Sequence, residues 1–401
     1  MINYEGYFEK TSKEIINDYI NRMNTERQSG EVGFYDLPLE FEIGISKLKK
    51  AKENFKNKSH FVVLGMGGSS VGTRAIASFL GIKNIDFLDN ISTTLFNEIL
   101  EKISLEKTLF ILVSKSGNTI ECISYFRILC DKLNLSINEL RHHFIGICMK
   151  ETKLYEFLQT NEIMHFNLDE NVSGRFSVLS NVGLVPLYLA GADVESIING
   201  AKACMSDTLA RKHIINLAYT LTTKMINKNY VLFTYCEELR HFNEWFVQLV
   251  AESLGKFKEY KRVGLTPISL IGPKDQHSFL QLIIEGPKDK FVEFIRIKPS
   301  ENSPKIKPIK GLENLENQSV GHSLDELLYA QSKSCLDAIK AEGIDTSLIE
   351  LDSKSAYNIG YLIYYYELVV GACGLMMGIN TYNQPGVESA KKLLKVLLTT
   401  K

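Results

Sequence analysis

Two stretches concentrate hydrogen-bonding residues directly after apolar runs: GMGGSSVG at 65–72 and SKSGNTIE at 114–121. In the first, glycines let the backbone approach an anion, and the helix expected to follow offers free N–H groups at its start. Ser69 and Ser70 add hydroxyl donors. The G-x-G-x-x-G dinucleotide fingerprint fails at its last position, which is Ser70, and there is no G-K-[ST] triphosphate loop. In the second stretch Ser114, Lys115, Ser116, Asn118 and Thr119 fall within six positions. Four uncharged hydrogen-bonding side chains and one lysine make a compact cradle for a phosphate monoester. Taken alone, the first loop also suits a plain tight turn and the second a solvated helix cap. Together they point to phosphate without nucleotide.

Two loops can share one ligand only if they end strands of one sheet, where ligands sit at the carboxyl ends of parallel strands. The surrounding pattern supplies such a sheet. Apolar runs at 61–67, 85–90, 109–117 and 143–150 alternate with helix-compatible segments, including 118–133 and 152–160. Continuous apolar strands alternating with helices predict a parallel sheet covered on both faces. The stretch FSVLSNVGLVPLYLAGA closes this unit, and a second begins near residue 200. There a helix over 208–227 leads to the strand NYVLFTYC, a helix over 241–254, the runs ISLIGPKDQHS and FVEFIRIKP, and helices over about 323–342 and 354–378. Residues 1–57 read as mainly helical, and the polar stretch at 301–318 as a surface excursion. The expected organisation is an α/β chain with an N-terminal helical segment (1–45), two tandem α/β/α units (46–198 and 199–380) and a C-terminal segment (381–401).

Composition narrows the partners. With 46 basic and 47 acidic residues among 401, the formal charge is −1, which argues against nucleic acid or an anionic membrane as the main partner. A hydrophobic fraction of 45% supports a sizeable core. Seven scattered cysteines without a C-x-x-C pair are expected to be reduced thiols of a cytoplasmic protein. The polar N-terminus is no signal peptide, and no uninterrupted apolar run reaches transmembrane length. The histidines other than His277 show no metal-ligand spacing, so no metal is expected.

Six blocks now stand in order: LGMGGSSVG, VSKSGNTIE, ENVSGRFSVLSNVGLVPL, WFVQLVAESLGK, GPKDQHSFLQLIIEGPKD and GINTYNQPGVESAKK. Across residues 60–392 the chain resembles the glucose-6-phosphate isomerase family. The resemblance implies two tandem sugar-isomerase (SIS) domains, each a parallel sheet flanked by helices. It implies an aldose–ketose isomerase without cofactor, acting on glucose 6-phosphate and fructose 6-phosphate through ring opening and a cis-enediol. Three departures are visible. Ser173 precedes Gly174 where a second glycine is usual, Pro385 replaces a frequent tryptophan, and the chain is short at both ends.

The resemblance assigns roles by position. Glu252 is the base that moves a proton between C2 and C1. Its spacing also suits a base, because Trp245, Gln248, Leu249 and Glu252 fall on one helix face, where apolar neighbours would strip water from a carboxylate. Arg175 is the fixed donor for the enediolate, with Gly174 allowing close approach. His277 and Lys391 are the ring-opening positions. Gly68, Ser69, Ser114, Lys115, Ser116 and Thr119 are implied in substrate binding, together with Gly174 and Gln248, and with Gln384 near the phosphate. The resemblance further implies a homodimer in which His277 reaches the neighbouring subunit's site. The apolar helix GYLIYYYELVVGACGLMMGI is expected to offer surface for that contact, unless it is buried within the chain. Two other readings are an isomerase that also accepts mannose 6-phosphate and a non-catalytic sugar-phosphate sensor. A sensor has no reason to keep Glu252, Arg175, His277 and Lys391 together.

Overall fold

Alternating apolar runs and amphipathic segments fold into two sheets, one parallel and one mostly parallel, that share a core. The computed structural model describes residues 2–8, 10–224, 228–315 and 318–399. Parts of the expected 208–227 helix (225–227), the surface excursion (316–317) and the terminal segments (1, 9, 400–401) lie outside the described residues.

The strands in chain order are β1 (Asn3–Tyr7), β2 (His60–Leu64), β3 (Ile85–Leu88), β4 (Thr108–Val113), β5 (Phe144–Cys148), β6 (His165–Asn167), β7 (Asn229–Tyr235), β8 (Lys256–Lys258), β9 (Lys261–Val263), β10 (Thr266–Ile271), β11 (Lys290–Ile297) and β12 (Thr346–Leu351). The first sheet has the order β3-β2-β4-β5-β6, with every pairing parallel. Its strands are predominantly apolar because both faces are covered. Phe61, Val63, Leu109 and Ile111 join one buried cluster, while Val62, Leu64, Phe110 and Leu112 join another on the opposite face.

The second sheet has the order β1-β12-β11-β7-β10. Four strands are parallel, and β1 adds antiparallel to β12. This corrects the helical reading of the N-terminus, because NYEGY is too short and too polar to show a strand period. Tertiary contact holds it there, with the Tyr4 ring 4.9 Å from His213 and 5.6 Å from Tyr365. The β8–β9 hairpin, highly charged and six residues of strand in all, was likewise not expected from pattern.

The helix Ala356–Met377 decides between the two readings left open for it. It is long and apolar enough to cross a membrane, yet 89% of its apolar window is buried within the chain. It packs against the helices Val194–Ser206 and Thr208–Thr223. Glycine makes that contact possible: a Cβ at Gly360 would lie 1.9 Å from the Ile197 carbonyl oxygen, and one at Gly200 equally close to that of Tyr357. The helix is therefore core, and offers no broad apolar face to a partner. Such a face lies instead on the C-terminal helix Glu388–Thr399, where Leu393, Val396, Leu397 and Leu398 are exposed.

One interhelical contact positions the candidate site. The helix Val71–Phe79, which follows the first glycine loop, packs against Arg240–Leu254 of the second unit. Arg240–Leu254 buries Trp245, Phe246, Leu249 and Val250 at helical spacing, which leaves Gln248 and Glu252 at the edge of the packed face.

Candidate active site

The neighbouring strands β2 and β4 end side by side, so the loops at 65–70 and 114–119 share one end of the sheet. Gly68 meets the turn Gly174–Phe176 backbone to backbone: a Cβ on Gly68 would lie 2.2 Å from the Gly174 carbonyl carbon. A Cβ on Gly174 would meet only the Gly68 Cα, at 3.9 Å. The close approach therefore requires glycine at 68 rather than at 174. A Cβ on Gly67 would lie 2.9 Å from the Gln248 amide nitrogen, which places the second unit's helix directly over this loop.

In the second loop, Ser114 is fully buried and its Oγ lies 2.8 Å from Thr119 Oγ1, while the Thr119 N–H donates to Ser114 Oγ at 3.3 Å. Ser116 is exposed, and its Oγ accepts the Asn118 N–H at 3.4 Å. Lys115 departs from the expected cradle. Its ammonium donates to the carbonyls of Glu170 and Val172, both at 2.8 Å, and burial lowers its pKa. The carbonyls of a loop 55 residues away bind its charge, so Lys115 anchors the segment that leads into Arg175. Ser114→Ala and Thr119→Ala should each leave kcat near the wild-type value and raise KM, by the ~1.5–3 kcal/mol of a hydrogen bond to a charged group. Steady-state kinetics check this, and an unchanged KM in both variants and in the double variant removes the pair from the cradle.

Arg175 is the hub of the site. It is 2% exposed, and four groups accept its N–H bonds: Ser253 Oγ at 2.6 Å, Gln384 Oε1 at 3.1 Å, the Asn383 carbonyl at 3.2 Å and the Thr381 carbonyl. Trp245 donates its indole N–H to the Arg175 carbonyl at 3.3 Å. Burial lowers the guanidinium pKa, and the Glu252 charge opposes that shift. Arg175 Nη1 lies 3.7 Å from Glu252 Oε2, and the Gln248 amide donates to the same oxygen at 3.2 Å. The polar groups at the carboxylate are thus Arg175 and Gln248. The apolar shielding expected from Trp245 and Leu249 falls on the buried side of the helix instead, and the Glu252 side chain keeps 27% of its surface open.

Glu252 lines a cleft of about 690 Å³, together with Lys256, Lys258, Arg262, Asn383 and Gln384. Gln384, expected near the phosphate, lies beside Arg175. Sequence reasoning missed Ser253, Thr381 and Lys256. Ser253 and Lys256 flank Glu252 in AESLGK, and that adjacency was the available signal.

Two expected site residues stand apart. His277 is exposed at the end of the turn Lys274–His277 after β10. Lys391 is 64% exposed on the C-terminal helix and pairs with Glu388 at 2.7 Å. Among the described residues, neither bonds to Glu252 or Arg175. No group of three or more His, Cys, Asp or Glu side chains among the described residues is arranged to hold a metal.

A carboxylate thus lies 3.7 Å from a buried cation, and the glycine loop at 65–70 meets both the Gly174 turn and Gln248. Residues 45–401 match the phosphoglucose isomerase family. The glucose-6-phosphate isomerase of Campylobacter jejuni is 42% identical, covering 100% of both chains. That of Methanocaldococcus jannaschii is 33% identical, covering 95% of this chain and 92% of its own. A hypothetical protein from Thermus thermophilus superposes with a TM-score of 0.90 at 30% identity, over 96% of this chain and 95% of its own. The glucose-6-phosphate isomerase from Chlamydia trachomatis shares the fold, with a TM-score of 0.83 at 21% identity, over 99% and 88% of the two chains.

Proposed function

This chain belongs to the phosphoglucose isomerase family, and from that premise we propose how its residues interconvert glucose 6-phosphate and fructose 6-phosphate. Glu252 takes the proton from C2 of the open-chain aldose and returns it to C1. One carboxylate serves both carbons because a cis-enediol presents them on the same side. Arg175 holds the negative charge that develops on the oxygen, as a fixed cation that does not itself exchange protons. Gln248 steadies a substrate hydroxyl from one helical turn before the base. The loops around Gly68, Ser69, Ser114, Ser116 and Thr119 hold the phosphate. The observation that carries this reading is the placement of Glu252 Oε2 against both Arg175 and Gln248, in a residue that lines the cleft.

Ring opening needs an acid at the ring oxygen and a base at the anomeric hydroxyl. His277 and Lys391 take these parts, with His277 of the partner subunit completing each site in a homodimer. Two features support the dimer. The exposed His277 bonds to neither Glu252 nor Arg175 of its own chain, and the C-terminal helix that carries Lys391 leaves an apolar face uncovered. The unpaired cysteines and balanced charge suit a cytoplasmic enzyme. The test mixes equal amounts of Glu252→Gln and His277→Ala chains, each inactive alone. Random exchange makes half of the dimers mixed, each with one site carrying both defects and one carrying neither. Activity near one quarter of wild type is expected in a coupled assay on fructose 6-phosphate. No recovery after confirmed exchange, or a fully active monomer in sedimentation, overturns the shared site.

A further inference from the structure

The segment 381–384 carries Gln384 and leads to the helix bearing Lys391, and two cations grip it. Arg175 donates to the Thr381 and Asn383 carbonyls and to the Gln384 side chain. Lys256 approaches the same segment from the β8 end of the hairpin. Its Nζ donates to the Asn383 carbonyl at 2.6 Å and to the Glu252 carbonyl at 2.7 Å. The second bond has a specific meaning. The Glu252 carbonyl lies in the last turn of Arg240–Leu254, where carbonyls lack intrahelical partners and the helix dipole favours positive charge. Lys256 thus caps the helix that carries the base and ties that cap to the segment that carries Gln384.

We propose that Lys256 is a positioning residue whose ammonium locks the 381–384 segment onto the end of the base-bearing helix, and that loss of its proton releases the segment and lowers turnover. This rests on the role given to Glu252 above. Arg175 and Lys256 share the Asn383 carbonyl, so the lock brings two positive charges close together. Burial and the Arg175 charge lower the Lys256 pKa to about 8, with Glu252 acting in the opposite direction. The charges acting on Lys256 are Arg175 on the Gly174–Phe176 turn and Glu252 on the helix, while Lys258 and Arg262 of the hairpin line the same cleft as Lys256 and Glu252. From the 381–384 segment it faces a carbonyl rather than an acid. The sign follows. Below about pH 8 the ammonium makes two charge-assisted bonds, and above it a neutral amine holds the same carbonyls more weakly.

The test compares wild type with Lys256→Met and Lys256→Arg, by kinetics and by hydrogen exchange of residues 381–387 corrected for intrinsic rates. In wild type, kcat should fall and segment exchange should rise as pH passes through about 8. Lys256→Met, which removes both bonds, should lower kcat about tenfold at pH 7, with KM nearly unchanged because the loops proposed to hold the phosphate are elsewhere. Its kcat should no longer fall near pH 8. Lys256→Arg stays charged and should keep the segment protected through pH 9. Equal protection of the segment in wild type and Lys256→Met, or an unchanged alkaline fall in Lys256→Met, overturns the proposal. A wild type inactive on sugar phosphates that still shows the exchange change sinks the role given to Glu252 and leaves the lock standing.

Discussion

Replacing Glu252 with glutamine is expected to cut kcat by ~10²–10⁴-fold, the range for loss of a general base, while KM changes little. The amide keeps the size of the carboxylate and can still meet Gln248, but it cannot accept the C2 proton. Folding should survive, because the side chain is only partly covered and its contacts are with two polar neighbours. A second measurement addresses the mechanism itself. Isomerisation by wild type in deuterated water should place solvent deuterium at C2 of the aldose and C1 of the ketose. More than a tenth of wild-type turnover in the variant removes Glu252 from the role of base. Absence of label at long reaction times points instead to an internal hydride shift.

Arg175→Lys is the second large effect. Lysine keeps the charge but lacks the planar fork that reaches Ser253, Thr381, Asn383 and Gln384 together. Loss of the fixed donor should lower kcat by ~10²–10³-fold, as removal of one oxyanion donor does elsewhere. The variant should also melt earlier, since buried acceptors left unpaired cost about 1–3 kcal/mol. Thermal melts followed by circular dichroism separate the two effects from the kinetics. A kcat within threefold of wild type would mean that the cation serves only to hold the 381–384 segment.

The first prediction could be made from sequence alone, whereas the second gains its stability component only from the structure. Glu252 and Arg175 each sit in a short block, and the resemblance of those blocks assigned their roles by position. The partners of Arg175 come from residues 253, 381, 383 and 384, which no local pattern connects to position 175.

The same division runs through the fold. The parallel sheets were legible because burial on both faces forces continuous apolar runs, and a run such as TLFILV in β4 carries that requirement within its own residues. That the loops at 65–70 and 114–119 follow neighbouring strands was legible because glycine, serine and threonine directly after an apolar run mark a strand's end. The edge strand β1 was not, since NYEGY becomes a strand only by pairing with residues 346–350. Apolar pattern alone left open whether Ala356–Met377 faces a partner or the core, because it records how much surface must be covered and not what covers it. Tertiary packing decided that one. It also decided the two lysines, Lys115 and Lys256. An ammonium on a flexible stem goes to whichever carbonyls the fold brings within reach: Lys115 finds one 55 residues away, and Lys256 one in the preceding helix's last turn and another 127 residues away.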